Sequence, residues 1–163
     1  PGDWSSDVCS SDLSWIDWSL LEKNKDLFEF FKFMIDYRKK HPVIRKKLDN
    51  AVCGMEAMHA HDVNAERMEV PQNAKTLAVS FAGYDRKKGK DDLVYVAVNA
   101  YWEEVKITLP NLANHGAWYL SVDTYGDEKG KYFYQEGEEI RIDREYVMKP
   151  RSIVVFTGRE ILR

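Results

Sequence analysis

The sequence predicts a mainly β chain: an antiparallel β-sandwich preceded by one long amphipathic α-helix. Two observations carry this. From Thr76 onward, apolar residues recur with a period of two in short runs separated by Gly, Pro, Asn and Asp, the pattern of strands joined by tight connections. Ahead of them, residues 20–41 have a helical period instead. No helical pattern interrupts the strands, which argues against a parallel βαβ sheet.

The helix comes first. Ser19-Leu20-Leu21-Glu22 has the form of a capping box, and Asn24 offers a second cap. Leu27, Phe30, Phe31, Met34 and Ile35 fall on one stripe, flanked by Phe28 and Tyr37. Lys23, Lys25, Asp26, Glu29, Lys32 and Asp36 occupy the other side. Arg38, Lys39, Lys40 and His41 suit the negative end of the helix dipole, and Pro42 stops the helix. So aromatic a stripe must bury against something large, either the domain that follows or a part lying upstream.

Residues 46–75 read as loop with at most short strands. Then Leu77, Val79 and Phe81 alternate with Ala78, Ser80 and Ala82. The polar stretch 83–92 reads as a hairpin connection. Residues 93–98 are continuously apolar, as in a strand buried on both faces. Val105, Ile107 and Leu109 alternate up to Pro110; Trp118, Leu120 and Val122 form the next set. Ile140 and Ile142 follow Gly137, and Ile153, Val154, Val155 and Phe156 close the pattern before Gly158. There is no internal repeat.

Residues 1–13 stand apart. From Asp3 to Leu13 they match the forward translation of a sequencing-adapter oligonucleotide, so they are expected to be an artefactual, disordered leader. This leader carries three of the 27 acidic residues and none of the 24 basic ones, so residues 14–163 are formally neutral. Neutrality gives no electrostatic footprint for nucleic acid or an anionic membrane, and neither is expected as a partner. No apolar run approaches the ~18 residues of a membrane-spanning helix. Cys9 lies in the leader, which leaves Cys53 alone and rules out a disulfide framework in the rest.

Chemistry-bearing motifs are sparse. His59-Ala60-His61-Asp62 could turn two imidazoles to one side of a strand, but no third metal ligand stands out, so no metal is expected. Glu103-Glu104 and Glu138-Glu139 are adjacent pairs. Neighbours on a strand point to opposite faces, so neither pair can flank one scissile bond. There is no phosphate loop and no nucleophile elbow. No catalytic residue and no cofactor are expected. Aromatic clusters that could stack on sugar rings are Tyr101-Trp102, Trp118-Tyr119 and Tyr132-Phe133-Tyr134. Tyr101, Trp102, Tyr132 and Tyr134 are the candidate substrate-binding residues, against the commoner fate of core packing.

Several stretches resemble one family. Ser14-Trp15-Ile16-Asp17-Trp18 is similar to a segment near the end of the catalytic barrel in bacterial glycogen debranching enzymes and isoamylases of the α-amylase superfamily. There it usually follows an Asn-Glu pair that is missing here. Residues 27–42, ending Tyr37-Arg38-Lys39-Lys40-His41-Pro42, look like the last barrel helix. Residues 92–103, with Tyr95-Val96-Ala97-Val98-Asn99-Ala100-Tyr101-Trp102-Glu103, resemble a strand and turn of the C-terminal domain. Trp118-Tyr119 with Val122-Asp123-Thr124, and Pro150-Arg151-Ser152 running into Val155-Phe156, resemble two more of its strands. The stretch 59–68 departs from the family's usual His-Gly and Asp-Trp-Ser pattern.

The resemblance implies a parent enzyme that hydrolyses α-1,6 branch linkages in glycogen-like glucans. Its aspartate nucleophile, glutamate general acid and second aspartate lie in upstream barrel motifs, and none maps onto a position here. The implied organisation is a leader at 1–13, the end of a truncated (β/α)8 barrel at 14–45 and a C-terminal β-sandwich at 46–163. The implied partners are the parent's catalytic barrel and, in the full-length enzyme, α-glucan; the implied location is the cytoplasm. A carbohydrate-binding sandwich that stacks glucan on exposed aromatics is the alternative.

Overall fold

The computed structural model describes residues 17–65, 71–113 and 116–159. The expected leader, Ser14 to Ile16 and part of the 59–68 stretch lie outside them. The described residues form α1 (Leu20–Lys23), α2 (Lys25–Lys40) and a 3-10 turn (Pro42–Ile44). Strands β1 (Met58–His61), β2 (Thr76–Asp85), β3 (Lys90–Asn99) and β4 (Val105–Thr108) follow, then β5 (Ala117–Asp123), β6 (Ile140–Ile142), β7 (Glu145–Met148) and β8 (Ser152–Arg159). Six strands make one sheet in the order β1-β2-β3-β8-β5-β6, and β4 pairs with β7 in a second. Every pairing of strands is antiparallel, so the expected fold class holds.

The large sheet is covered on both sides. Leu93, Tyr95, Ala97, Trp118, Leu120, Val154 and Phe156 face the small sheet and meet Ile107, Leu109 and Met148. Val94, Val122 and Val155 face the other way, against Tyr37, Val43, Phe30, Phe33 and Met34. This explains the unbroken apolar run at 93–98: successive side chains of β3 point to opposite faces, and each face has its own core.

One irregularity shapes the helix-facing side. The β5–β8 register slips between Leu120 and Val122, a β-bulge that shifts which residues share a face. Val122 therefore leaves the face of Trp118 and Leu120 and joins the helix side, beside Ser121, whose hydroxyl bonds Thr157 at 2.8 Å, while Thr157 meets the Tyr37 hydroxyl, also at 2.8 Å. Burial pushes the Tyr37 phenol well above its ordinary range, so it stays a protonated partner in this chain. Beyond the bulge, Asp123 turns back toward the small sheet, where its Oδ2 accepts the Tyr146 hydroxyl at 2.7 Å.

The helical region differs from expectation in three ways. Ser19 itself has helical dihedrals, and its side chain makes no cap bond to the helix. Asp17 takes that part: its Oδ1 accepts both the Ser19 N–H (2.9 Å) and the Ser19 hydroxyl (2.6 Å), and its carbonyl accepts the Leu20 N–H. Asn24 also makes no side-chain cap; it divides the expected single helix into α1 and α2. Finally, the buried seam is Phe30, Phe33, Met34 and Tyr37, with Phe33 stacked on Phe133 at 4.5 Å between ring centroids. Leu27, Phe28, Phe31 and Ile35 remain 49–59% exposed. The apolar arc of α2 is wider than one partner surface can cover.

Candidate functional site

The aromatic tip is built on one asparagine. Asn99 ends β3 fully buried. Its Nδ2 donates to the carbonyls of Glu103 (2.9 Å) and Lys149 (3.0 Å), and its Oδ1 accepts the Tyr101 N–H at 3.0 Å. A side chain that bonds the main chain in this way fixes a turn that would otherwise be loose. The turn presents Tyr101 and Trp102 with ring centroids 4.1 Å apart. The Lys75 ammonium sits 3.7 Å from the Tyr101 ring centre, within cation–π range. Trp102 is 64% exposed. An open indole face backed by a second ring can stack on a flat apolar ligand face, such as that of a sugar ring.

Tyr132 and Tyr134 are placed elsewhere. Tyr134 is buried in the core between the sheets, and Lys131 lies 5.0 Å from its ring. Tyr132 covers the turn at Gly126, whose positive φ and close approach to that ring leave no room for a side chain. Phe133, between them, packs on α2. No ring contact among the described residues joins this cluster to Tyr101 and Trp102. Sequence reasoning found the aromatics but missed Asn99; the signal was an amide at the first non-apolar position after a doubly buried strand.

The carboxylate pairs are spread over structural tasks. Glu104 pairs with Lys149. Glu138 accepts the Lys131 ammonium (2.9 Å) and the Gln135 N–H (3.3 Å). Glu139 pairs with Arg159 and accepts the Gly137 N–H at 2.6 Å.

His59 and His61 do approach, with ring centres 4.7 Å apart. His61, however, has a protein partner on both nitrogens: Nδ1 lies 3.1 Å from the Ala65 carbonyl and Nε2 lies 2.9 Å from Ser80 Oγ. A carbonyl only accepts, so the proton is on Nδ1, and Nε2 takes the serine hydroxyl. No lone pair is left for a metal. Burial holds the His61 pKa below the ordinary histidine value. The folded chain therefore takes up this proton at lower pH than the unfolded chain, and stability must fall as pH drops below about 6.5. We expect the melting temperature to decline between pH 7 and pH 5, and less steeply in His61→Gln. Parallel declines in the two proteins would assign the acid sensitivity to other groups.

The architecture thus defines a class: an antiparallel sandwich domain with a helix packed on the outer face of its larger sheet. Residues 53–157 match the family model described as isoamylase, C-terminal, and the chain belongs to that family. None of the curated proteins compared with it matches the chain. The match spans β1 to nearly the end of β8 and places the domain among parts of α-amylase-family enzymes. No helix among the described residues is long and apolar enough to cross a membrane.

Proposed function

We propose that this chain is the non-catalytic C-terminal part of a debranching glycoside hydrolase acting on α-1,6 linkages of glycogen-like glucans. In this reading α1 and α2 end a (β/α)8 barrel at residues 14–45, residues 46–163 form the sandwich that braces it, and the enzyme works in the cytoplasm. One observation carries the reading: α2 has two apolar faces, and among the described residues only one of them has a partner. Its inner face is locked to the sheet by Tyr37, by His41 and by the Asp92 carboxylate that spans His41 and the Val43 N–H. Its outer face, from Leu27 through Phe31 to Ile35, stands open. Exposed apolar surface of this extent marks a docking face, and the last helix of a barrel would present such a face inward.

A second reading rests on Trp102. Its exposed ring, held on Tyr101, suits glucan stacking in the full-length enzyme. One preparation tests both. The purified chain is expected to release no linear maltooligosaccharide from amylopectin above a blank; release would overturn the non-catalytic assignment. Retardation in glycogen gels that disappears in Trp102→Ala would support the second reading, and unchanged mobility would remove it.

A further inference from the structure

The outer face of the large sheet is only partly roofed by α2, which crosses it over Val94, Val122 and Val155. On one flank the helix turns Glu29, Lys32, Asp36 and Lys40 to a cleft above the end of the sheet where β3 begins and β8 finishes. On the other flank stands the open stripe Leu27, Phe31 and Ile35, one residue per helical turn. That flank overlooks the opposite end of the sheet. There Leu77, Val98 and Ile153 lie side by side across β2, β3 and β8, on the same face as Val94 and Val155. Leu77 is 46% exposed, Ile153 is 41% exposed and Val98 is half-buried. Val79 and Val96, also half-buried, continue this apolar floor toward the helix. Helix wall and sheet floor thus meet in one apolar corner.

We propose that this corner is the contact between two copies of this chain, related by a twofold axis, with the α2 wall of each laid on the β2–β3–β8 floor of the other. Shape selects this occupant first. A twofold contact needs a surface complementary to itself, and a corner of two apolar faces is closed by a second such corner rotated by half a turn. A flat surface such as a membrane would reach the wall or the floor, not both. The parts also fit. The floor suits an amphipathic helix with anchors at i, i+4 and i+8; the chain carries such a helix, with the charges that line the cleft turned to its other flank. Area agrees as well. The open residues of α2 with Leu77 and Ile153 are each about half exposed, which gives on the order of 500 Å2 per chain at roughly 200 Å2 for a whole large side chain. A twofold pair then buries about 1,000 Å2, the size at which a contact qualifies as a specific interface, and the half-buried valines add to it. The proposal goes beyond the bracing role and does not rest on it: a barrel would take the wall in the parent enzyme, whereas the floor and the pairing of copies belong to this chain whatever its parent.

The test is sedimentation velocity of the full chain across about 5–500 μM, the range in which an interface at the small end of the scale dissociates. A concentration-dependent shift from monomer to dimer is expected. Phe31→Lys in the wall and Leu77→Lys in the floor each place an ammonium against apolar surface, and each should weaken the dimer about tenfold or more. Trp102→Ala should leave it unchanged. Both lysine positions are open to solvent in the single chain, so the variants should fold, and thermal melts check this. If either melts early, Ile35→Lys and Ile153→Lys take their places. Three outcomes would each overturn the proposal. One is a monomer at every concentration, as when a segment of the same chain lies on the corner. Another is a dimer that neither substitution weakens. The third is a dimer weakened by Phe31→Lys alone, which would mean helices paired without the floor. The non-catalytic assignment is read from maltooligosaccharide release and stands or falls apart from these results.

Discussion

Trp118→Ala is expected to abolish a well-defined cooperative melt for this chain near room temperature. Trp118 is buried between the two sheets, near Tyr95 with ring centres 5.8 Å apart and in close contact with Gly158. Its indole N–H also donates to the Pro110 carbonyl at 2.7 Å, tying the end of the β4 region to β5. Truncating a buried Trp costs about 3–5 kcal/mol from lost burial and the cavity left behind. Losing the bond to the half-buried Pro110 carbonyl adds about 0.5–1.5 kcal/mol. Against a total stability of about 5–15 kcal/mol, that is from about a quarter to all of what a domain of this size has. Trp118→Phe separates the two contributions: it keeps most of the apolar volume and loses only the donor, so it should melt early but cooperatively. A Trp118→Ala protein that melts within a few degrees of the parent would show that the inter-sheet core does not depend on this residue.

The sequence was legible where a strand's environment is uniform along its length. Residues 93–98 read as doubly buried because both faces of β3 meet a core. β2 alternates as read, but the buried set is Thr76, Ala78, Ser80 and Ala82, while Leu77 is exposed and Val79 and Phe81 are half-buried. Legibility failed where tertiary context sets the outcome. β7 passed unseen because Glu145–Met148 has no strong period; it is held by pairing with β4, residue for residue from Val105 with Met148. The bulge left no mark: Trp118, Leu120 and Val122 read as one set, but Trp118 and Leu120 face the small sheet and Val122 faces the helix, because the β5–β8 register slips between them.

The helix taught the sharper lesson. Its residues gave the right element but the wrong seam: Phe33 is in the contact, and Leu27 and Ile35 are outside it. A single apolar stripe can be oriented from sequence; an arc spanning two faces cannot, because nothing local says which face meets which partner. The same held for the candidate site. Tyr101 and Trp102 are exposed because Asn99 folds the turn beneath them. Tyr132 and Tyr134, equally aromatic, are spent on a turn and a core.

Asp92→Ala is the second large effect, and it acts on how the helix is held. The Asp92 side chain is 3% exposed. One oxygen lies 2.6 Å from His41 Nδ1, and the other accepts the Val43 N–H at 3.1 Å. It therefore grips the two residues that end α2 and begin the 3-10 turn. Removing it leaves both groups without their partner, and each largely buried group left unsatisfied costs about 1–3 kcal/mol. The loss should be local before it is global. β3 keeps its main-chain pairing with β2 and β8, so its amides should stay protected while those of α2 exchange far faster. Asp92→Asn should recover much of the protection, because an amide still offers one acceptor to the Val43 N–H and a donor to a retautomerised His41. Equal loss of protection in α2 and β3 would mean that helix and sheet unfold as one unit and that Asp92 is a general core residue. Selective loss would establish the carboxylate as the clamp that holds a helix with one open apolar face onto the sandwich, as a bracing domain requires.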